Sequence, residues 1–328
     1  MNNKFTEINE AESSVNINIK DFLHYLQKHG AITFFFVLVT INIIWTQNFL
    51  HINTFWNIII QVFPIMVMGM GMTLVISSGG IDISIGSIMA ISGMILGKAL
   101  GLGVFYAIVF ALLTAMFLGL INGFLISYFR IQPIIVTLIL YISGRGIAQL
   151  LNDGYTIVFY DNKIANLGIY RIDGVVPIQL VLMIIIIALI YFLTKKMSFG
   201  YYVQAIGENY YAARLSGVNT FLILILAYVL IGALSGIAAI MEVSRTSCTD
   251  PNNIGKLIAL DVIAAVAIGG TPMSGGKAEL IGTIFGALIM QIITVSANMN
   301  NIHFSYAMVL KAIIILAAVY SQRKITKR

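Results

Sequence analysis

Long apolar runs separated by short polar breaks fill the chain from residue 31 to residue 320. Five stretches, 31–81, 99–129, 174–194, 215–241 and 280–310, contain no Asp, Glu, Lys or Arg. A helix of about 20 apolar residues crosses the hydrocarbon of a bilayer, so several of these stretches hold one or two crossings each. Continuous apolar runs such as 181–190 exclude the short alternating strands of a membrane β-barrel. The pattern predicts spans at about 31–46, 54–76, 83–100, 104–128, 133–151, 177–194, 220–243, 280–298 and 304–320. A further apolar piece, 257–270, is too short for an ordinary span and carries Asp261. Pro64, inside the second span, is expected to kink it or break a backbone hydrogen bond.

The expected class is an all-α polytopic membrane protein with about ten transmembrane helices. Residues 1–30 read as a polar cytoplasmic arm with an interfacial helix at Asp21–Lys28, 31–320 as the transmembrane domain, and 321–328 as a basic cytoplasmic tail. Ten crossings leave both termini on one side. Lys98, Lys163, Arg171, Arg245 and Lys256 then lie across the membrane from them, Arg145 and Lys311 fall within spans, and the other Lys and Arg share the side of the termini. That bias makes the side of the termini the cytoplasmic one.

One segment interrupts the order. Residues 199–217, FGYYVQAIGENYYAARLSG within the loop 195–219, are polar and helix-prone, yet lie between two runs able to cross a bilayer. Asn209 can cap a helix and Gly217 can supply the left-handed stop. Ala212, Ala213 and Leu215 would give that helix one small, smooth face. A short helix held at a membrane surface suits receiving a push from a partner. It suits a plain capped loop equally, and the residues alone leave both readings open.

Composition narrows the function classes. The chain is 59% apolar and 10% charged, where a soluble domain carries about 25% charged residues. The net charge of +6 does not point to nucleic acid, because most Lys and Arg sit at span ends and tails. A single cysteine, Cys248, excludes an internal disulfide framework and a Cys-based metal site. Glu7, Glu10 and Glu12 precede the first apolar run and no small-residue cleavage site follows it, so the start does not read as a cleavable signal.

Residues 269–277, GGTPMSGGK, invite a phosphate-loop reading that fails on spacing. The pattern needs a glycine and a Ser or Thr where this chain has Thr271 and Ala278. Any ATP is therefore expected to be used by another subunit. Asp82 follows Gly79 and Gly80 and reads as the N-cap of the third span or as a polar point in a broken helix. Arg145, Asp261 and Lys311 are charges in apolar segments and are expected to pair or to snorkel. His24, His29, His51 and His303 form no metal pair, and no hydrolase constellation appears. Gln61 and Asn122 could bond sugar hydroxyls or bond across helices. Ala115/Gly119/Gly123, Gly232/Gly236 and Gly282/Gly286 have the spacing of close helix contacts. Gly79-Gly80…Gly86 faintly echoes Gly269-Gly270…Gly276.

Together these segments resemble the permease subunits of sugar ABC importers of the ribose/xylose/galactofuranose group. The matching stretches are SGGIDISIG at 78–86, NGFLI at 122–126, PIIVTL at 133–138, AIGEN at 205–209 with AARLSG at 212–217, DPNNIGKL at 250–257, LDVIAA at 260–265 and GGTPMSGGK at 269–277. The chain departs from the family at Ala259, where a Glu is common. The resemblance implies a type II ABC importer permease fold in the bacterial inner membrane, paired with a second permease. It further implies an extracytoplasmic sugar-binding protein and cytoplasmic ATPases that use ATP and Mg, with no cofactor in this chain. Under it, Gly207, Glu208, Asn209, Ala212, Ala213, Arg214 and Gly217 form the helix that couples to the ATPase. Gln61, Asn122, Thr137 and Asp261 are pathway candidates, and Gly79, Gly80, Asp82, Gly269, Gly270, Gly275 and Gly276 form structural turns. Import of nucleosides or branched-chain amino acids remains open. An ion-coupled transporter is disfavoured by scarce intramembrane carboxylates, and an intramembrane enzyme by the missing catalytic set.

Overall fold

The computed structural model describes residues 30–159 and 162–326, so the expected arm except Gly30, its interfacial helix at Asp21–Lys28 and the last two tail residues lie outside the described residues. The first half of the chain forms α1 (Gly30–Trp45), α2 (Ile52–Ser77), α3 (Ile85–Ala99) with a 3-10 turn at Leu100–Leu102, α4 (Val104–Phe129) and α5 (Pro133–Leu150). A small polar insert follows: β1 (Ile157–Val158), α6 (Asn162–Ile169), β2 (Arg171–Ile172) and β3 (Val176–Pro177). The second half forms α7 (Ile178–Lys195), α8 (Ser198–Glu208), α9 (Tyr210–Leu215), α10 (Thr220–Thr246), β4 (Cys248–Thr249), α11 (Ile258–Ile268), α12 (Leu280–Met299) and α13 (Phe304–Thr326).

Among the described residues, seven helices, α2, α3 with its 3-10 extension, α4, α5, α7, α10 and α12, are long and apolar enough to cross a membrane. Shorter apolar helices are α1, α11 and residues Ser305–Leu316 of α13. The protein is thus a mostly helical, multi-pass membrane protein. α13 continues as one helix to Thr326, past the expected span end and through most of the residues read as a separate tail.

Small residues decide the centre. Gly119 approaches the Tyr228 carbonyl and Gly232 the Ala115 carbonyl so closely that a Cβ on either glycine would overlap the facing backbone. The two four-residue patterns are therefore opposite sides of one seam, joining α4 to α10. Gly282 and Gly286 bring α12 equally close to Gly269 and Ala265. α2, the most deeply buried helix, runs alongside α10 and α12.

Two non-helical segments enter the bundle from opposite ends. After α2, residues 80–84 turn inward and reach Asn122, whose Nδ2 donates to Ser84 Oγ at 2.8 Å. Asn122 lies seven residues before the end of α4, about 10 Å along its axis. From the other end, residues 249–255 run alongside α3. Thr249 packs on Gly97, Ile254 on Gly93, and Gly255 on Gly86, a descent of about 16 Å of helix rise. Leu257 at φ 61° then turns the chain into α11. The short apolar piece thus continues from a turn-rich segment, 250–257, that packs along α3.

Candidate functional site

Two ends of the bundle differ in chemistry. At one end lie α8, α9 and the glycine turns 78–80 and 269–277; at the other lie the two short antiparallel ribbons, β1 with β4 and β2 with β3.

The polar segment between α7 and α10 is expected as one helix but forms two. Asn209 is extended at φ −154°, ψ 103°, which ends α8, and its Oδ1 accepts the Ala212 N–H at 2.9 Å to start α9. Gly217 at φ 85° provides the expected left-handed stop. The expected smooth face is divided: Ala213 turns into the bundle, while Ala212 and Leu215 face away from it. Leu215 is 90% exposed, and Tyr201, Tyr211, Glu208 and Arg214 share that outer surface.

Glycines hold this hairpin to the bundle. A Cβ on Gly207 would collide with the Ser77 carbonyl oxygen and come within 2.7 Å of the Gly276 nitrogen. The Gly276 N–H donates to the Ser77 carbonyl at 2.9 Å, and Ser77 Oγ donates to the Lys277 carbonyl at 2.8 Å. Gln204 Oε1 accepts the Ala278 N–H at 3.3 Å. Gly79, Gly275 and Gly276 have φ of 86°, 89° and 89°, a conformation that side chains resist. The two glycine turns, only a faint echo in sequence, thus meet at α8. Gly269 packs on α12, and Gly270 at φ 91° leaves α11. Gln204 and Ser77 carry no sequence signal beyond being polar at span edges.

Asp82 is not the N-cap of α3. That position is Ser84, and Asp82 Oδ1 accepts both the Ser84 N–H and its hydroxyl at 2.8 and 2.6 Å. The four pathway candidates each make a contact within this chain. Gln61 Oε1 accepts from Gln291 Nε2 at 3.0 Å, joining α2 to α12, and Asn122 joins α4 to Ser84. Thr137 donates to the Ile81 and Pro133 carbonyls. Asp261, in the first turn of α11, pairs with Lys311 Nζ of α13 at 2.8 Å.

Arg145 neither pairs with these nor snorkels. Its Nη1 donates to the Pro251 and Ile254 carbonyls at 2.9 and 2.8 Å, tying α5 to the descending segment. At the mouth of that segment, Asp250 Oδ1 accepts the Asn252 N–H at 2.8 Å and its Oδ2 accepts from Asn253 Nδ2 at 2.7 Å. Ala259 is buried in the first turn of α11.

The chain is 34% identical over 306 residues to the ribose import permease protein of Escherichia coli K12, covering 92% of this chain and 95% of that one. It is 36% identical over 267 residues to the galactofuranose transporter permease protein of the same strain, covering 80% and 78%. It is 34% identical over 259 residues to the fructose import permease protein of Bifidobacterium longum, covering 76% and 72%. No solved structure matches. Residues 54–319 match the family described as branched-chain amino acid transport system / permease component. The chain belongs to that family of permeases, whose members are transport components rather than enzymes.

Proposed function

We propose that the chain is the membrane permease of an ATP-driven importer that carries a monosaccharide across the bacterial inner membrane. It crosses ten times with both termini in the cytoplasm. α11 and the segment 249–257 together complete the eighth crossing. An extracytoplasmic binding protein delivers the sugar at the ribbon end, and a second permease completes the pathway. ATP and Mg are used by cytoplasmic ATPases docked at α8 and α9.

The observation that carries this reading is the attachment of α8 and α9. A hairpin with an exposed aromatic and apolar surface is wedged by Gly207 against the ends of two membrane-inserted elements. A push on Leu215, Tyr211 and Arg214 is transmitted through rigid backbone contacts to α2 and to the turn before α12. Side-chain contacts would absorb more of such a push. The relatives named for ribose, galactofuranose and fructose favour a monosaccharide cargo.

The test is sugar-stimulated ATP hydrolysis by the permease–ATPase complex in proteoliposomes with its binding protein. Arg214→Glu is expected to keep the complex assembled and to lose most of the stimulation. Uptake by the permease alone along an ion gradient would remove the ATP-driven reading. Stimulation by leucine and by none of the monosaccharides would replace the cargo.

A further inference from the structure

At the ribbon end, a narrow crevice lies between α2, α7 and α10. Ile60, Phe63, Pro64, Gln179, Glu242 and Arg245 are among the residues that line it. Its lining mixes apolar side chains with hydrogen-bonding groups from three helices. Pro64 has no N–H to give the Ile60 carbonyl four residues earlier, so that carbonyl lacks its helical donor. Gln179 is 2% exposed; its Nε2 is committed to the Gly168 carbonyl, and its Oε1 has no partner among the described residues. An orphaned buried amide oxygen costs about 1–3 kcal/mol. Glu242 and Arg245 face one another at 2.6 Å in a half-buried pair. That contact leaves the carboxylate further lone pairs and the guanidinium further N–H groups.

The crevice thus offers three kinds of acceptor, a carbonyl, an amide oxygen and a carboxylate, beside the guanidinium N–H groups that Glu242 does not take. Adjacent hydroxyls on a carbon chain match that set, because each can donate to one acceptor while its oxygen receives from Arg245. We infer that this crevice is a subsite for a polyhydroxylated ligand of monosaccharide size, with Gln179 and Glu242 reading hydroxyls. The inference rests on the sugar-import reading and goes beyond it by assigning residues of the permease a part in substrate selection. In the present conformation the crevice is narrower than a water molecule, so a ligand enters only when α7 parts from α2 and α10. α7 runs into α8 through a turn so tight that Gly200 touches the Thr194 backbone.

The experiment uses the permease–ATPase complex in proteoliposomes with binding protein. Uptake of D-ribose, D-galactose, D-fructose, D-allose and leucine is measured. The transported sugar is then compared with its deoxy analogues. Wild type is expected to prefer the full sugar. Gln179→Leu is expected to lower uptake about tenfold and to shrink the preference over one deoxy analogue about three- to tenfold, the loss of one hydrogen bond. Gln179→Glu keeps an acceptor but gives up the N–H bonded to the Gly168 carbonyl, so it is expected to hold the preference at reduced uptake, while Glu242→Gln shrinks it for a different hydroxyl.

Unchanged preference in Gln179→Leu and Glu242→Gln, with a sugar still transported, overturns the subsite and leaves the import reading intact. Reduced uptake with unchanged preference in those same variants overturns it too, since the residues would then only support the bundle. Wild type that transports leucine and none of the sugars overturns both. If Gln179→Leu fails to assemble, Glu242→Gln decides by the same ratio.

Discussion

At the scale of single residues, this chain depends on positions where a side chain would strike backbone. Gly207 is the sharpest case, because the Ser77 carbonyl oxygen it would hit is fixed within the end of α2 and cannot rotate away. Gly207→Ala is expected to destabilise the packed end by about 1–3 kcal/mol. Thermal unfolding of the detergent-solubilised protein measures this. Gly101, which has open space around its Cβ position, serves as a control and is expected to tolerate alanine. Equal melting temperatures for the two variants would show that α8 does not sit tightly on Ser77. Local spacing does not show which glycine meets a distant carbonyl; resemblance singled out Gly207 for coupling, not for its contact with Ser77.

At the scale of elements, charge inside the apolar bundle serves to join helices. Asp261 sits near the positive end of α11, and Lys311 reaches it from α13. Asp261→Asn is expected to leave Lys311 without a counter-charge in a buried site and to cost about 3 kcal/mol. Adding Lys311→Met removes the stranded ammonium and is expected to recover most of that loss. Melting temperatures of the three proteins decide this. A double variant no more stable than the single one would mean that the pair does more than neutralise itself. The expectation that intramembrane charges pair was legible from the high cost of an isolated charge in lipid. Arg145 escaped it, because its partners are backbone carbonyls brought near by a chain segment that sequence reading treats as a loop.

At the scale of the whole molecule, the polar hairpin and the ribbons occupy opposite ends, and the proposed function requires opposite sides of the membrane. In a Cys248→Ser background, cysteine at Leu215 is expected to react with an impermeant maleimide only from the cytoplasmic side. Cysteine at Tyr155, in the polar insert and well exposed, is expected to react only from the other. Labelling of both from the same side would break the ten-crossing topology. In the proposed topology the crossing count turns on residues 249–268, where a turn-rich segment supported by α3 and Arg145 leads into α11. Such backbone is tolerated at this depth only when protein, and not lipid, surrounds it.

The hydrophobic pattern by itself determined that this protein lives in a membrane, and it located the long helices. A run of apolar residues can satisfy its backbone in lipid only as a helix, and that constraint is local. Asn209 and Gly217 were legible for the same reason, because capping acts within a few residues. The tertiary structure alone decided that the glycine turns 78–80 and 275–276 meet beneath α8. It also paired the two small-residue stripes with each other and set Gln179 beside Glu242 and Arg245. Each of these joins residues far apart in the chain. Their meeting depends on how helices cross, and helix periodicity does not encode which faces touch.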